Sequence, residues 1–310
     1  MILLLAILHP TCAQILLNPP PNASVITVDV DLVNVLCSVR DKHGAYVKDL
    51  NKDDFEIKED GRRQEIRHFA REVDSPLTVA LLLDVSGSVS AIIGTEKAAA
   101  SRFFSEVLRP GDKALLVGFA QLIAVWQDFT PSATRLAEAL DRAGPFVMTP
   151  GQSEYLPRGG TLLYDAVNLV ARDRLTKQPG RKTMVLITDG EDNGSLVNLE
   201  TATKAAQQSD AVIYGIHYED DARPSPRKVA GLAALEKLSA PTGGRTFHVS
   251  RKTPLEAIFE TIQEEMRSQY GLGYKSTNPA TDGGYRRLEV KSSRLGLKMQ
   301  VRVGYYAAKR

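Results

Sequence analysis

Apolar residues fall at every second position from residue 26. Ile26, Val28, Val30 and Leu32 share one face, and Thr27, Asp29 and Asp31 share the other. A period of two is the signature of a β-strand, whose successive side chains point to opposite faces. Val33, Val35, Cys37 and Val39 continue the period with the phase slipped by one residue, which marks a bulge or a strand break. Shorter strands are predicted over 47–50, 55–58 and 65–69, with turns at 41–44 and at Glu59-Asp60-Gly61. Short strands separated by turns predict a small β-sandwich. From residue 76 the signal becomes strand–helix alternation. Strands are predicted over 78–83, 113–119, 123–129, 183–188, 212–217 and 245–249, and helices over 91–108, 132–143, 161–173, 199–208, 227–239 and 254–266. Alternation of this kind predicts a doubly wound α/β layer, a mostly parallel six-stranded sheet with helices on both faces. Only residues 120–122 separate the second and third of these strands, too few for a crossover helix, so that pair is expected to be antiparallel. The tail returns to strands at 270–274, 286–291 and 298–303, with a turn at 282–284. They are too few to bury a core alone. They are expected to complete the N-terminal sandwich, which makes the α/β layer an insertion in it.

One stretch carries candidate chemistry. The buried strand expected at 79–83 ends in Asp84, and hydroxyls follow at alternate positions, Ser86 and Ser88. Side chains at i, i+2 and i+4 of extended chain point the same way, and Gly87 lets the backbone curl between the serines. One carboxylate and two hydroxyls can therefore converge at the C-terminal end of a central strand. Hard oxygen ligands of this kind suit Mg²⁺ or Mn²⁺ rather than Zn²⁺. Two further stretches add to the set. Gly159-Gly160-Thr161 places a hydroxyl at an expected helix start, and a second buried strand ends in Asp189-Gly190.

In these three stretches the chain resembles the von Willebrand factor A domain family, whose metal-ion-dependent adhesion site (MIDAS) is D-x-S-x-S, then a distant Thr, then a distant Asp. Asp84, Ser86, Ser88, Thr161 and Asp189 match all five positions in order. The resemblance spans residues 76–268 and implies one antiparallel edge strand on the parallel sheet. It implies that Ser86, Ser88 and Thr161 coordinate Mg²⁺ (or Mn²⁺) directly, with Asp84 and Asp189 holding it directly or through water. It also implies an open coordination position, taken by an Asp or Glu of a protein partner. Residues 53–61 resemble the β region that precedes such domains in secreted bacterial proteins. The expected function is therefore metal-dependent, adhesion-type protein binding. The alternative is an assembly component of an envelope complex in which the metal only braces the loops. No enzymatic activity is expected: Ser86 lacks a nucleophile elbow, and the five histidines show no metal-ligand spacing. Residues 146–158 and 220–227 are loops that would flank the site, with Glu154, Tyr155 and Arg158 as candidate partner contacts. Glu191 and Asp192 fit a solvated turn or helix-start acids better than metal ligands.

Composition and charge change this picture little. The 310 residues are 43% hydrophobic and 25% charged, an ordinary globular balance. A net charge of +2 gives no footprint for nucleic acid. The first residues matter more. An apolar run at 2–8 before Thr11-Cys12-Ala13 reads as a signal peptide, too short to span a bilayer. The expected organisation is a signal peptide at 1–13, a Pro-rich spacer at 14–24, an N-terminal β domain at 25–75, the α/β domain at 76–268 and completing strands at 269–310. The mature chain is expected to be exported (periplasmic, cell-surface or secreted), without a transmembrane segment. Cys37 would be its sole cysteine, a buried structural thiol.

Overall fold

The computed structural model describes residues 32–71, 75–86, 93–146, 160–218, 226–278 and 280–309. The expected signal peptide and spacer, Ser88, and the candidate contacts Glu154, Tyr155 and Arg158 lie outside the described residues.

The strands are β1 (Leu32–Arg40), β2 (Phe55–Glu59), β3 (Arg62–Gln64), β4 (Ile66–Arg71), β5 (Leu77–Asp84), β6 (Lys113–Phe119), β7 (Ile123–Thr130), β8 (Arg181–Thr188), β9 (Ala211–His217), β10 (Arg245–His248), β11 (Tyr270–Lys275), β12 (Tyr285–Ser292), β13 (Lys298–Val301) and β14 (Gly304–Tyr306). The α-helices are α1 (Ile93–Val107), α2 (Ala133–Arg142), α3 (Leu163–Leu169), α4 (Leu199–Gln208), α5 (Pro226–Ser239) and α6 (Leu255–Met266). They form the doubly wound layer and the sandwich that the periodicity predicts. The six-stranded sheet runs β10-β9-β8-β5-β6-β7, all parallel except the β6–β7 pair, so β7 is an antiparallel edge.

Every residue of β5 is buried, which is why it reads as a continuous apolar run. Leu77, Val79, Leu81 and Leu83 face one core with Phe103 and Phe104 of α1, Leu136 of α2 and Ile258 and Phe259 of α6. Ala80 and Leu82 face the other, with Leu163 and Val167 of α3, Ala202 of α4 and Leu235 of α5. Fully burying each Leu or Val contributes about 1.5–3 kcal/mol, so both helical layers are fastened through this one strand.

A third core lies between two four-stranded sheets, β13-β1-β11-β4 and β14-β12-β2-β3. Each sheet mixes strands from before and after the α/β layer. β1 pairs with β11 and β13, and β2 pairs with β12. The β2–β3 hairpin turns on Asp60 (φ 47°) and Gly61 (φ 80°), two left-handed residues that match the twist of the strands.

Local expectations fail in three places, each for a visible reason. The strand expected over 65–69 is present as β4, but β3 just before it is not anticipated: Glu65 separates the two, and β3 pairs in one sheet and β4 in the other. The strand expected over 298–303 breaks after Val301, where the chain crosses from β13 to β14. Residues 47–50 make no ladder at all. The Tyr270 hydroxyl takes the Leu50 N–H (3.1 Å) and donates to the Val47 carbonyl (2.9 Å), so Leu50 is buried without belonging to a strand.

Cys37 sits on the central strand β1, fully buried, and burial pushes its thiol up to about 12. The thiolate is the reactive form. Cys37 should therefore resist alkylation in the native chain at mildly alkaline pH and react fully in denaturant, as peptide mapping of labelled chain would show.

Candidate metal centre

In an open α/β sheet the crevice beyond the strand C-termini opens where the chain reverses its winding. Here the winding from β5 runs outward to β6 and β7, then returns to β8 on the other side. Asp84 ends β5, and Asp189 directly follows β8. Both therefore stand at the switch point.

Asp84 is fully buried, and both its oxygens are engaged. Oδ1 accepts the Ser86 N–H (2.9 Å), which curls the first loop, and Oδ2 accepts the Thr188 hydroxyl (2.6 Å). Thr188 Oγ1 accepts in turn from the Gly190 N–H (3.0 Å), so the first and third loops are joined. Asp189 is half-buried, and its Oδ1 accepts the Glu191 N–H (2.9 Å). Thr161 is buried and reached from the third loop by Asn193, whose Oδ1 accepts the Thr161 N–H (2.7 Å) and whose N–H donates to the Thr161 carbonyl (3.2 Å). The Leu162 N–H ties this second loop to the Ala120 carbonyl beyond β6 (2.9 Å). Hydrogen bonds thus link the loops bearing Asp84 and Ser86, Thr161, and Asp189.

The third loop is itself fixed on α3. Asp192 Oδ1 accepts the Tyr164 N–H in the first turn of α3 (3.1 Å), so it is a helix-start acid, though for a helix earlier in the chain. Asp165 accepts the Leu196 and Val197 N–H groups (2.9 and 3.0 Å). These positioning residues (Thr188, Asn193, Asp165 and Asp192) carry no periodic signal. Their partners lie 28 to 104 positions away in sequence. Asn198, just beyond, caps α4 through the Thr201 N–H.

The donor set fits a hard divalent cation. Burial pushes the Asp84 carboxyl up to about 6 despite hydrogen bonds from Thr188 and Ser86, and the neighbouring Asp189 charge pushes it the same way. A buried carboxylate beside a second one is short of positive charge, which a divalent cation would supply. Among the described residues no group of three or more His, Cys, Asp and Glu is placed to hold a metal. The sequence-predicted ligands are instead two carboxylates and three hydroxyls. His217, at the end of β9, is buried and stacks on His248, Nδ1 to Nδ1 3.2 Å.

Gly190 (φ 78°) and Gly231 of α5 meet backbone to backbone under this loop. A Cβ on Gly231 would lie 2.1 Å from the Asp189 carbonyl oxygen. Gly231→Ala should push Asp189 out of place, costing about 1–3 kcal/mol of stability as an overpacked contact. It should also lower cation affinity in a calorimetric titration. Parent-like affinity would place Asp189 outside the centre.

The family pattern for the von Willebrand factor type A domain matches residues 79–191, a span that contains all five sequence-predicted ligands. Among solved structures, the chain is similar to proximal thread matrix protein 1 from the mussel byssus, at 16% identity and a TM-score of 0.52, over 67% of this chain and 51% of that one. The same mussel protein with a zinc-occupied MIDAS motif matches at 17% identity and a TM-score of 0.52, over 67% of this chain and 50% of that one. BatB from Bacteroides thetaiotaomicron matches at 18% identity and a TM-score of 0.48, over 61% of this chain and 97% of that one. The chain spans about half the length of the mussel protein it matches. The likeness to the mussel protein shows the fold. No curated protein sequence matches the chain. Among the described residues no helix is long and apolar enough to cross a membrane.

Proposed function

We propose that the von Willebrand factor type A domain carried by this chain captures a protein partner through a divalent cation, Mg²⁺ or Mn²⁺, that bridges the domain to an acidic side chain of the partner. The observation that carries this reading is the hydrogen-bonded linkage of three ligand-bearing loops at the switch point, Asp84–Thr188–Gly190 and Thr161–Asn193. Ser86, Ser88 and Thr161 would supply neutral hydroxyls, and Asp84 and Asp189 the negative charge. With neutral hydroxyls as the direct ligands, the cation would stay able to take a further carboxylate. Binding rather than catalysis is the reading this centre supports, in a protein acting outside the cytoplasm.

The surroundings suit contact with a partner. Leu196 is 97% exposed, yet its backbone is pinned by Asp165 on the loop that orients Thr161. Val229 stands exposed two residues before Gly231. Exposed apolar side chains on a fixed backbone are candidate partner contacts.

The test is capture from an envelope extract by the full chain, in Mg²⁺, in EDTA, and with Asp189→Ala. A partner retained only by the parent in Mg²⁺ supports the bridge. A partner retained equally under all three conditions moves the interface away from the cation and favours the assembly role.

A further inference from the structure

The opposite end of the α/β sheet holds a second candidate site. A cavity of about 90 Å³ lies at the N-terminal ends of β8 and β9, where the sandwich meets the sheet. Asn34, Arg181, Lys182, Asp210, Thr242 and Arg302 are among its lining residues. Arg302 occupies the crossing from β13 to β14. One of its terminal nitrogens donates to Asp210 Oδ1 (2.5 Å) and the other to the Asn34 carbonyl (2.7 Å). Its Nε is buried and finds no acceptor among the described residues. Lys182 is half-buried, and its ammonium makes no hydrogen bond or ion pair among the described residues. Arg181 is buried beside it, donating to the carbonyls of Ser75 and Met266.

The chemistry of these groups is one-sided. Lysine and arginine have donors and no acceptors. Three cations share the lining with one carboxylate, Asp210, which Arg302 already engages. Desolvation holds the Lys182 ammonium below its ordinary range although Asp210 pulls the other way. A buried N–H and a half-buried ammonium without acceptors are each costly. We propose that this cavity binds a small oxyanion, a phosphate ion or a carboxylate group, whose oxygens accept from Lys182 Nζ and Arg302 Nε. The volume admits such an ion but not a nucleotide or a drug-sized molecule, whose sites run to roughly 300–1,000 Å³. Lys182 belongs to the sheet and Arg302 to the sandwich crossing, so the anion would fasten the two together. The cavity lies at the opposite strand ends from the cation centre, so the proposal stands or falls independently of it.

The test is thermal unfolding and calorimetric titration of the full chain with inorganic phosphate, sulfate and acetate, ionic strength being held constant with KCl to remove general screening. A saturable rise in Tm is expected with at least one of these probes, because an ion that binds only the folded state stabilises it. Lys182→Met should weaken that binding about tenfold or more, the worth of a charged hydrogen bond. Lys177→Met, at an exposed lysine outside the cavity, should not change it. Saturation by phosphate or sulfate identifies a tetrahedral ion as the ligand; saturation by acetate alone identifies a carboxylate. The proposal is overturned if none of the probes binds saturably, or if Lys182→Met binds as the parent does. Should Lys182→Met not fold, Lys182→Gln gives the same comparison.

Discussion

Asp84→Asn is expected to cut the affinity for Mg²⁺ by at least about 100-fold while the chain stays folded. The substitution keeps the shape of the side chain and an oxygen able to accept either the Ser86 N–H or the Thr188 hydroxyl. It removes the negative charge at the point where the structure buries it most completely. The parent should therefore gain Tm on addition of Mg²⁺, and Asp84→Asn should not. An undiminished Mg²⁺-dependent stabilisation would take Asp84 out of the centre. The same residue sets a pH signature in chelator. Burial raises its carboxyl from 3.8 to about 6, so the folded state holds the proton more tightly than the unfolded chain does. Metal-free parent should therefore gain stability as the pH falls through that interval, and Asp84→Asn should show less of this gain.

Glu265→Ala should destabilise the chain by about 3–5 kcal/mol, the range for breaking a buried ion pair on one side. Glu265 closes α6 and is fully buried. Its Oε2 accepts from Arg245 (2.9 Å) and from the Tyr46 hydroxyl (2.8 Å), and its Oε1 accepts from the Tyr214 hydroxyl (3.0 Å). Arg245 also donates to the Tyr46 oxygen (3.0 Å) and lies over the Phe247 ring. Burial first, and the Glu265 charge second, hold both tyrosines protonated, so both remain donors. One carboxylate thus joins α6, β9, β10 and the segment following β1. Truncation strands a guanidinium and two hydroxyls. Glu265→Gln, which keeps an acceptor, should cost less. Urea unfolding followed by the single tryptophan, Trp126, measures both. A loss below about 1 kcal/mol for Glu265→Ala would show that water replaces the carboxylate at no penalty.

What the sequence made legible is what local spacing encodes. The buried run of β5, the period of the helices and the short β6–β7 connection each leave a pattern a few residues wide, and each is present in the fold. Asp84 and Asp189 could be recognised because each ends such a run. The brace around them left no such trace. Asn193 reads as one polar residue in a turn, and its role depends on the approach of Thr161, 32 positions earlier. Gly231 falls inside an ordinary helix, and only the backbone of Asp189 explains why it has no side chain. Similarly, nothing local distinguishes Glu65 or Arg302 from strand interior. Both stand where the chain passes from one sheet of the sandwich to the other, and that passage is set by strands distant in sequence. The helix expected over 161–173 starts two residues late, at Leu163, because the Leu162 backbone (φ −93°, ψ 54°) is not helical, and it passes into a π-helical turn at Val170–Arg174.

The most direct measurement is a calorimetric titration of the full chain with Mg²⁺ and with Mn²⁺, set beside Thr161→Ala. Thr161 is buried between the second and third loops and lies outside every core cluster, so its loss should spare the fold. The parent should bind a single equivalent of either ion, and Thr161→Ala should bind neither with measurable affinity. Equal binding by the two proteins, or no binding by the parent, would contradict a cation centre built from Asp84, Ser86, Ser88, Thr161 and Asp189.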